Sequence, residues 1–270
     1  MRAIVLGDGP MGRALAAGLA ERGDEVCAVL GRPHTTHPPG AFEGVDVAFE
    51  FSRGAAVLPN LAAALAGGCR RFVVGTTAWT VTPAELTALL NQHRAAAVAA
   101  PSFSPGVNLL ARLVELATHM FGALPAYDPY VLEWHRQGKA DRPSGTALEL
   151  SRRILAAHPV KRQLADRARS GPLRPDELEV GSIRAGSAPG MHLVGFDAPG
   201  ETVELRLTAR DRSAYALGAI AAAEWLLATP RAPGLHSFDE VVDELVAGRS
   251  AAGVPAPTEL TASVAAVAAR

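Results

Sequence analysis

Residues 2 to 6 form an unbroken apolar run, and Gly7-Asp8-Gly9-Pro10-Met11-Gly12 follows it directly. Ala14 to Arg22 then repeats its apolar residues at helical spacing, and Glu25 to Leu30 reads as a second strand. Three glycines spaced G-x-G-x-x-G are a weak signal alone. Between a strand and a helix they mark the turn of a β-α-β unit that binds a dinucleotide. Gly7 allows the tight turn, Gly9 lets a pyrophosphate approach the backbone, and Gly12 lets the helix pack on the strand. Asp8, Pro10 and Met11 complete the loop, so Gly7 to Gly12 are taken together as candidate cofactor contacts.

At the end of the second strand, where an acid would hold the ribose 2′-hydroxyl of NAD, the chain reads Leu30-Gly31-Arg32-Pro33-His34. Without that acid, and with Arg32 able to pair with a 2′-phosphate, NADPH is the expected cofactor, with NADH possible. His34 and His37 read as solvated loop residues.

The alternation continues with strands at 45–51, 71–74 and 96–100 and helices at 55–66 and 83–95. The pattern predicts a Rossmann-type, doubly wound parallel sheet of the α/β class. Loops at the carboxyl ends of such strands line one crevice. That places Phe51-Ser52-Arg53, Gly75-Thr76-Thr77 and Pro101-Ser102-Phe103-Ser104 there, with Phe51, Gly75, Thr76, Thr77, Ser102 and Phe103 as candidate cofactor contacts. After Val107 the pattern changes. A helix over 108–121 and an extended stretch over 130–134 lead to strands at 178–184, 191–197 and 201–209 without regular intervening helices. We therefore expect two domains. Residues 1–105 and 213–270 would make the dinucleotide domain, and 106–212 an α+β domain with a mostly antiparallel sheet. A chain of 270 residues, 49% of them hydrophobic, can fill two such cores.

The chemistry concentrates in His135-Arg136-Gln137-Gly138-Lys139-Ala140-Asp141-Arg142-Pro143-Ser144-Gly145-Thr146. Pro143 and Ser144 read as lead-in and N-cap of a helix, which would aim the backbone N–H groups of Ser144, Gly145 and Thr146 at an anion. His135 titrates near neutral pH, and Lys139 supplies a point charge or a second proton donor. Asp141 reads as a partner of Lys139 or Arg142. The plain alternative for the segment is a solvated basic loop capping an ordinary helix. With 26 Lys plus Arg against 27 Asp plus Glu, the net charge of −1 gives no reason to expect nucleic acid or an anionic membrane as partner, so any anion site is local. Cys27 and Cys69 lack metal spacing and suit a reducing compartment. No secretory pattern opens the sequence, and a cytoplasmic location is expected. His93, His119, His158 and His236 have no partners at ligand spacing, so no metal is expected. His192 reads more readily as a structural residue than as a functional one.

Five stretches carry a family resemblance: Gly7 to Gly12 followed by Arg13, Gly75-Thr76-Thr77, 101–108 (PSFSPGVN), 133–148 (EWHRQGKADRPSGTAL) and 182–192 (SIRAGSAPGMH). Through them, nearly end to end, the chain resembles the dihydrodipicolinate reductases, or 4-hydroxy-tetrahydrodipicolinate reductases, of diaminopimelate and lysine biosynthesis. The resemblance implies hydride transfer from a reduced nicotinamide to a cyclic, unsaturated dicarboxylate. It also implies that His135 is the general acid, that Lys139 assists protonation and binds carboxylate, and that Thr77, Ser144, Gly145 and Thr146 hold the substrate. A homotetramer is implied as well. Arg136 stands where the family usually has a second His and can bind carboxylate but not titrate. Ser102, Ala78 and Ala221 stand where Asn, Gly and Arg are common. These departures keep two alternatives open: a reductase of another anionic cyclic imine, and a non-catalytic NADPH-sensing protein.

Overall fold

The computed structural model describes residues 1–31, 40–166, 168 and 170–250. Arg32, the expected 2′-phosphate partner, lies outside them, as do His34 and His37. The chain runs β1 (Arg2–Leu6), α1 (Pro10–Glu21), β2 (Glu25–Leu30), β3 (Val47–Glu50), α2 (Val57–Ala66), β4 (Arg71–Val74), α3 (Pro83–Gln92) and β5 (Ala96–Ala99). Then come α4 (Pro105–Gly122), β6 (Asp128–His135), α5 (Gly145–Ala157), β7 (Gln163–Leu164), β8 (Glu177–Arg184), β9 (Met191–Ala198) and β10 (Glu201–Thr208). Finally α6 (Ser213–Ala228), β11 (Gly234–Ser237) and α7 (Phe238–Ser250) follow. Two compact units result: Met1–Pro101 with the chain from Ala219 onward, and Ser102–Gly218.

The first unit is a six-stranded sheet ordered β11-β5-β4-β3-β1-β2, with every pairing parallel. The strand order reverses between β1 and β3. Parallel strands are covered on both faces, and all four residues of β3 are buried. Ile4, Leu6, Ala48, Phe72, Val74 and Ala97 of the sheet pack against Val57 and Leu61 of α2 and Leu86 and Leu90 of α3. The capping box of Thr82 and Glu85 starts α3 one residue before Pro83. The edge strand β11 was not anticipated, because GLHS is too short and too polar to stand out.

The second unit holds a sheet ordered β10-β9-β6-β8-β7. It is mixed rather than mostly antiparallel. β9 is antiparallel to both β6 and β10, whereas β6 and β7 each run parallel to β8. The reason is α5, whose crossover returns the chain in the direction it left. Val131, Leu178, Val180, Val194 and Phe196 from one sheet face form a core with Leu110 and Val114 of α4 and Leu150 and Ile154 of α5. Helix α4 begins earlier than periodicity suggests because Ser104 accepts the N–H of Val107 at 3.3 Å and Pro105 takes the first helical position.

Candidate active site

In β6, side chains alternate between faces. Val131, Glu133 and His135 are buried on one face, while Trp134 is exposed on the other. The antiparallel register places Glu133 directly opposite His192 on β9, and the parallel register sets Ser182 and Arg184 of β8 beside Glu133 and His135. One carboxylate, two imidazoles and one guanidinium thus converge through strand pairing alone. Glu133 is 0% exposed. Its Oε1 accepts the backbone N–H of Ser144 at 3.0 Å and Nη2 of Arg184 at 2.8 Å. Its Oε2 lies 3.2 Å from Nε2 of His135 and 3.7 Å from Nε2 of His192. The two Nε2 atoms are 3.3 Å apart, and Nε2 of His192 is 3.1 Å from the Ser144 hydroxyl.

Burial opposes ionisation of Glu133, but hydrogen bonds from Ser144, Arg184 and Ser182 outweigh it and hold its pKa at about 2. His192 is driven the other way, to about 4, first by burial and then by the neighbouring His135, with Glu133 opposing. Burial also lowers the pKa of His135; Glu133 and a bond to the Pro189 carbonyl raise it, and Lys139 and Arg184 lower it further. Donor atoms of Glu133, His135 and His192 lie within 4.8 Å of one another, close enough for one metal ion. With Arg184 bonded to the same carboxylate and Lys139 near both rings, a proton is the better-suited shared cation.

The helix start at Ser144 is arranged differently from expectation. Ser144 is the N-cap of α5, as its sequence context predicts, but it is 3% exposed and turned inward. Its N–H goes to Glu133 and its hydroxyl accepts from Ala147 at 3.2 Å, so its backbone N–H does not point at a ligand. Gly145 is exposed and Thr146 half-buried at the helix start, and the space a Gly145 side chain would fill is open. Asp141 sits at this start. It pairs with Lys139 Nζ at 2.7 Å and accepts the N–H of Gly145, so a carboxylate of the chain occupies the anion position. Arg136, next to His135 in the chain, is exposed.

In the first unit, the glycine loop has the shape a pyrophosphate needs. A side chain at Gly7 would strike the Phe51 carbonyl and one at Gly12 the Gly7 carbonyl, while at Gly9 there is open space. No side chain caps the start of α1, which leaves its first turn to an anion. These residues fit a dinucleotide. The Asp8 side chain lies against Gly31 at the end of β2, where a side chain on Gly31 would collide with the carboxylate. Sequence order concealed this acid, because it arrives from the first loop and not from β2.

The strand-end loops are tied together by Glu50, a buried residue that sequence reading missed. Its carboxylate accepts the Ser52 N–H at 3.0 Å, Nδ2 of Asn60 at 2.6 Å and the Thr76 hydroxyl at 3.1 Å, and its backbone carbonyl accepts the Gly75 N–H at 2.9 Å. Burial raises its pKa. The Phe51 ring lies over Gly75, and Thr76 is buried while Thr77 is exposed. Thr76, Thr77, Ala99, Pro101 and His236 line a cavity of about 640 Å³ in this unit. Ser102 and the buried Phe103 fall in the second unit instead, where the Phe103 carbonyl abuts Gly218.

Glu133, Arg184 and His192 were the other residues not singled out as functional. The available signal was alternation: Glu133 and His135 share a strand face, and a Glu at a buried position requires a partner.

Residues 106–242 match a family model described as dihydrodipicolinate reductase, C-terminus. A 4-hydroxy-tetrahydrodipicolinate reductase of Nitrosomonas europaea is 34% identical, over 89% of this chain and 97% of its own. One of Archaeoglobus fulgidus is 35% identical, over 73% of this chain and 76% of its own. Among solved structures, a dipicolinate-bound dihydrodipicolinate reductase from Paenisporosarcina sp. TG-14 aligns with a TM-score of 0.69 at 19% identity, over 88% of this chain and 97% of its own, and shares the fold.

Proposed function

The chain belongs to the dihydrodipicolinate reductase family, and from that membership we propose that it reduces 4-hydroxy-tetrahydrodipicolinate to tetrahydrodipicolinate in diaminopimelate and lysine biosynthesis. The observation that carries this reading is the juxtaposition of a proton-sharing His135, Glu133 and His192 cluster with a cationic helix start on the second unit. A bound reduced nicotinamide supplies the hydride. Gly7 to Gly12 would hold its pyrophosphate, and the loops at Phe51 and Gly75 to Thr77 its nicotinamide half. NADPH is our first choice of cofactor on the strength of Arg32, with NADH accepted, and the Asp8 carboxylate beside Gly31 favours the latter.

On the second unit, Lys139, Arg136, Gly145 and Thr146 bind the substrate's carboxylates. The substrate's carboxylate takes the place of Asp141. Adding hydride to a conjugated imine builds negative charge that an acid must quench as it forms, and His135 is that acid, assisted by Lys139. Ser144 acts from within, by fixing Glu133. Trp134 and its register partner Ile183, each about two-fifths exposed, suit association with further copies as a homotetramer. No helix among the described residues is long and apolar enough to cross a membrane, which accords with a cytoplasmic enzyme. The test is oxidation of NADPH, and separately of NADH, while the pathway's synthase forms the substrate in place.

A further inference from the structure

His135 and His192 come from different strands, yet each turns the same nitrogen, Nε2, toward the other and toward one carboxylate oxygen. Their rings meet edge to face with centroids 5.0 Å apart. The opposite edge of His135 faces the backbone of Pro189 and Gly190, whose missing side chain would press on the ring, and the Pro189 carbonyl accepts from it. When neutral His135 carries its proton on Nδ1 for that bond, its Nε2 lone pair faces Glu133 Oε2 at 3.2 Å, acceptor against acceptor. One added proton on Nε2 turns this contact into a charge-assisted bond. The site is therefore built to take up a proton.

We propose that His192 is a positioning residue that couples proton uptake by His135 to anion binding at the Ser144 helix start. The inference rests on the reading of this unit as the dicarboxylate and proton-donor site. Two groups make the link. Ser144 caps α5 with the oxygen that also contacts His192, so the helix start and the second ring share an atom. Glu133 receives the Ser144 N–H through one oxygen and faces both rings with the other.

The charges around His135 decide the direction. Glu133 on its own strand favours the proton, Arg184 on β8 and Lys139 on the following loop oppose it, and Asp141 partly offsets Lys139. His192 on β9 is held neutral by burial. A dicarboxylate brings two negative charges where Asp141 supplies one, so it weakens the opposing cationic field and one proton passes from solvent to Nε2 of His135. His192 keeps that nitrogen aimed at Glu133 and offers it a second acceptor. The proton that substrate reduction consumes is thus loaded by the substrate's own carboxylates.

The test is titration calorimetry of the full chain with dipicolinate in buffers of different ionisation heat near pH 7, which reads protons taken up per ligand bound. The wild type should take up close to one proton. His192→Phe keeps a ring but no nitrogens and should bind dipicolinate with several-fold less uptake; its kcat should lose its dependence on pH between about 5 and 7. His192→Gln restores a polar group at the ring edge and should recover part of both. Where His192→Phe fails to fold, Ser144→Ala cuts the same link from the helix side and is read the same way. Uptake in the folded variant equal to the wild type overturns the proposal. Dipicolinate binding by the wild type without net uptake overturns it too, while leaving the dicarboxylate site standing. No binding at all overturns both.

Discussion

The backbone N–H of Ser144 donates to Oε1 of Glu133 at 3.0 Å, so the start of α5 is fastened to a fully buried carboxylate on β6. The same carboxylate faces both imidazoles through its other oxygen. The start of α5 and both imidazoles are therefore positioned by one residue, and a change at Glu133 is felt by all three.

Stability should record this arrangement in two pH windows. His192 has a folded pKa of about 4, below the ordinary imidazole value near 6.5. Between those values the unfolded chain binds a proton that the folded chain does not, so stability falls as pH drops from 6.5 to 4. Glu133, at about 2, contributes fully above its unfolded value of about 4.3 and loses that contribution as pH falls through 2. Each full window is worth about 3 kcal/mol. Denaturant melts of wild type and His192→Phe at pH 7 and pH 5 check the first window: the wild type should lose about 2 kcal/mol that the variant does not. An unchanged difference between the two proteins at both pH values would contradict it.

Asp8 places a carboxylate against Gly31, at the end of β2 where a ribose 2′-substituent would lie. Asp8→Ala should raise the preference for NADPH over NADH by about tenfold, because it removes a like charge from the 2′-phosphate. The ratio of kcat/KM for the two cofactors reads this directly. A ratio that stays put means Asp8 does not face the ribose.

Arg136 is exposed next to His135, the proposed general acid. Arg136→Ala should raise KM for the dicarboxylate by about tenfold, with little change in KM for the nicotinamide. Arg136→Lys should recover only part, since it keeps the charge but not the planar fork. Equal kinetics in all three proteins would remove Arg136 from the substrate site.

Ala78 holds φ at 53°, a left-handed conformation that favours glycine. An L residue pays about 1 kcal/mol there, and glycine's extra chain entropy cancels about half. Ala78→Gly should therefore stabilise the first unit by about 0.5 kcal/mol, raising its melting temperature by about 1–2 °C. A lower melting temperature would show that the strain is compensated elsewhere.

Local patterns carried much of this far in the sequence. The β1-loop-α1-β2 unit, the Ser144 cap and the Lys139–Asp141 pair were all readable, because each depends on residues close together in the chain. What stayed hidden depends on register. Glu133 meets His192 across β6 and β9, and Arg184 arrives from a third strand, a pairing no chain spacing announces. The same holds for Glu50, which joins loops after two different strands, and for Asp8, which reaches the end of a strand it does not belong to. The inward turn of Ser144 could not be foreseen without Glu133, which claims its N–H.

We propose that this chain reduces an anionic cyclic imine using a proton from His135. The most direct test is the initial rate of NADPH oxidation by wild type and His135→Ala, with 4-hydroxy-tetrahydrodipicolinate formed in place by the pathway's synthase and cofactor binding followed in parallel. The wild type should turn over, and the variant should lose about 10²–10⁴-fold in rate with NADPH still bound. No oxidation of NADPH or NADH by the wild type, or full turnover by His135→Ala, would contradict it.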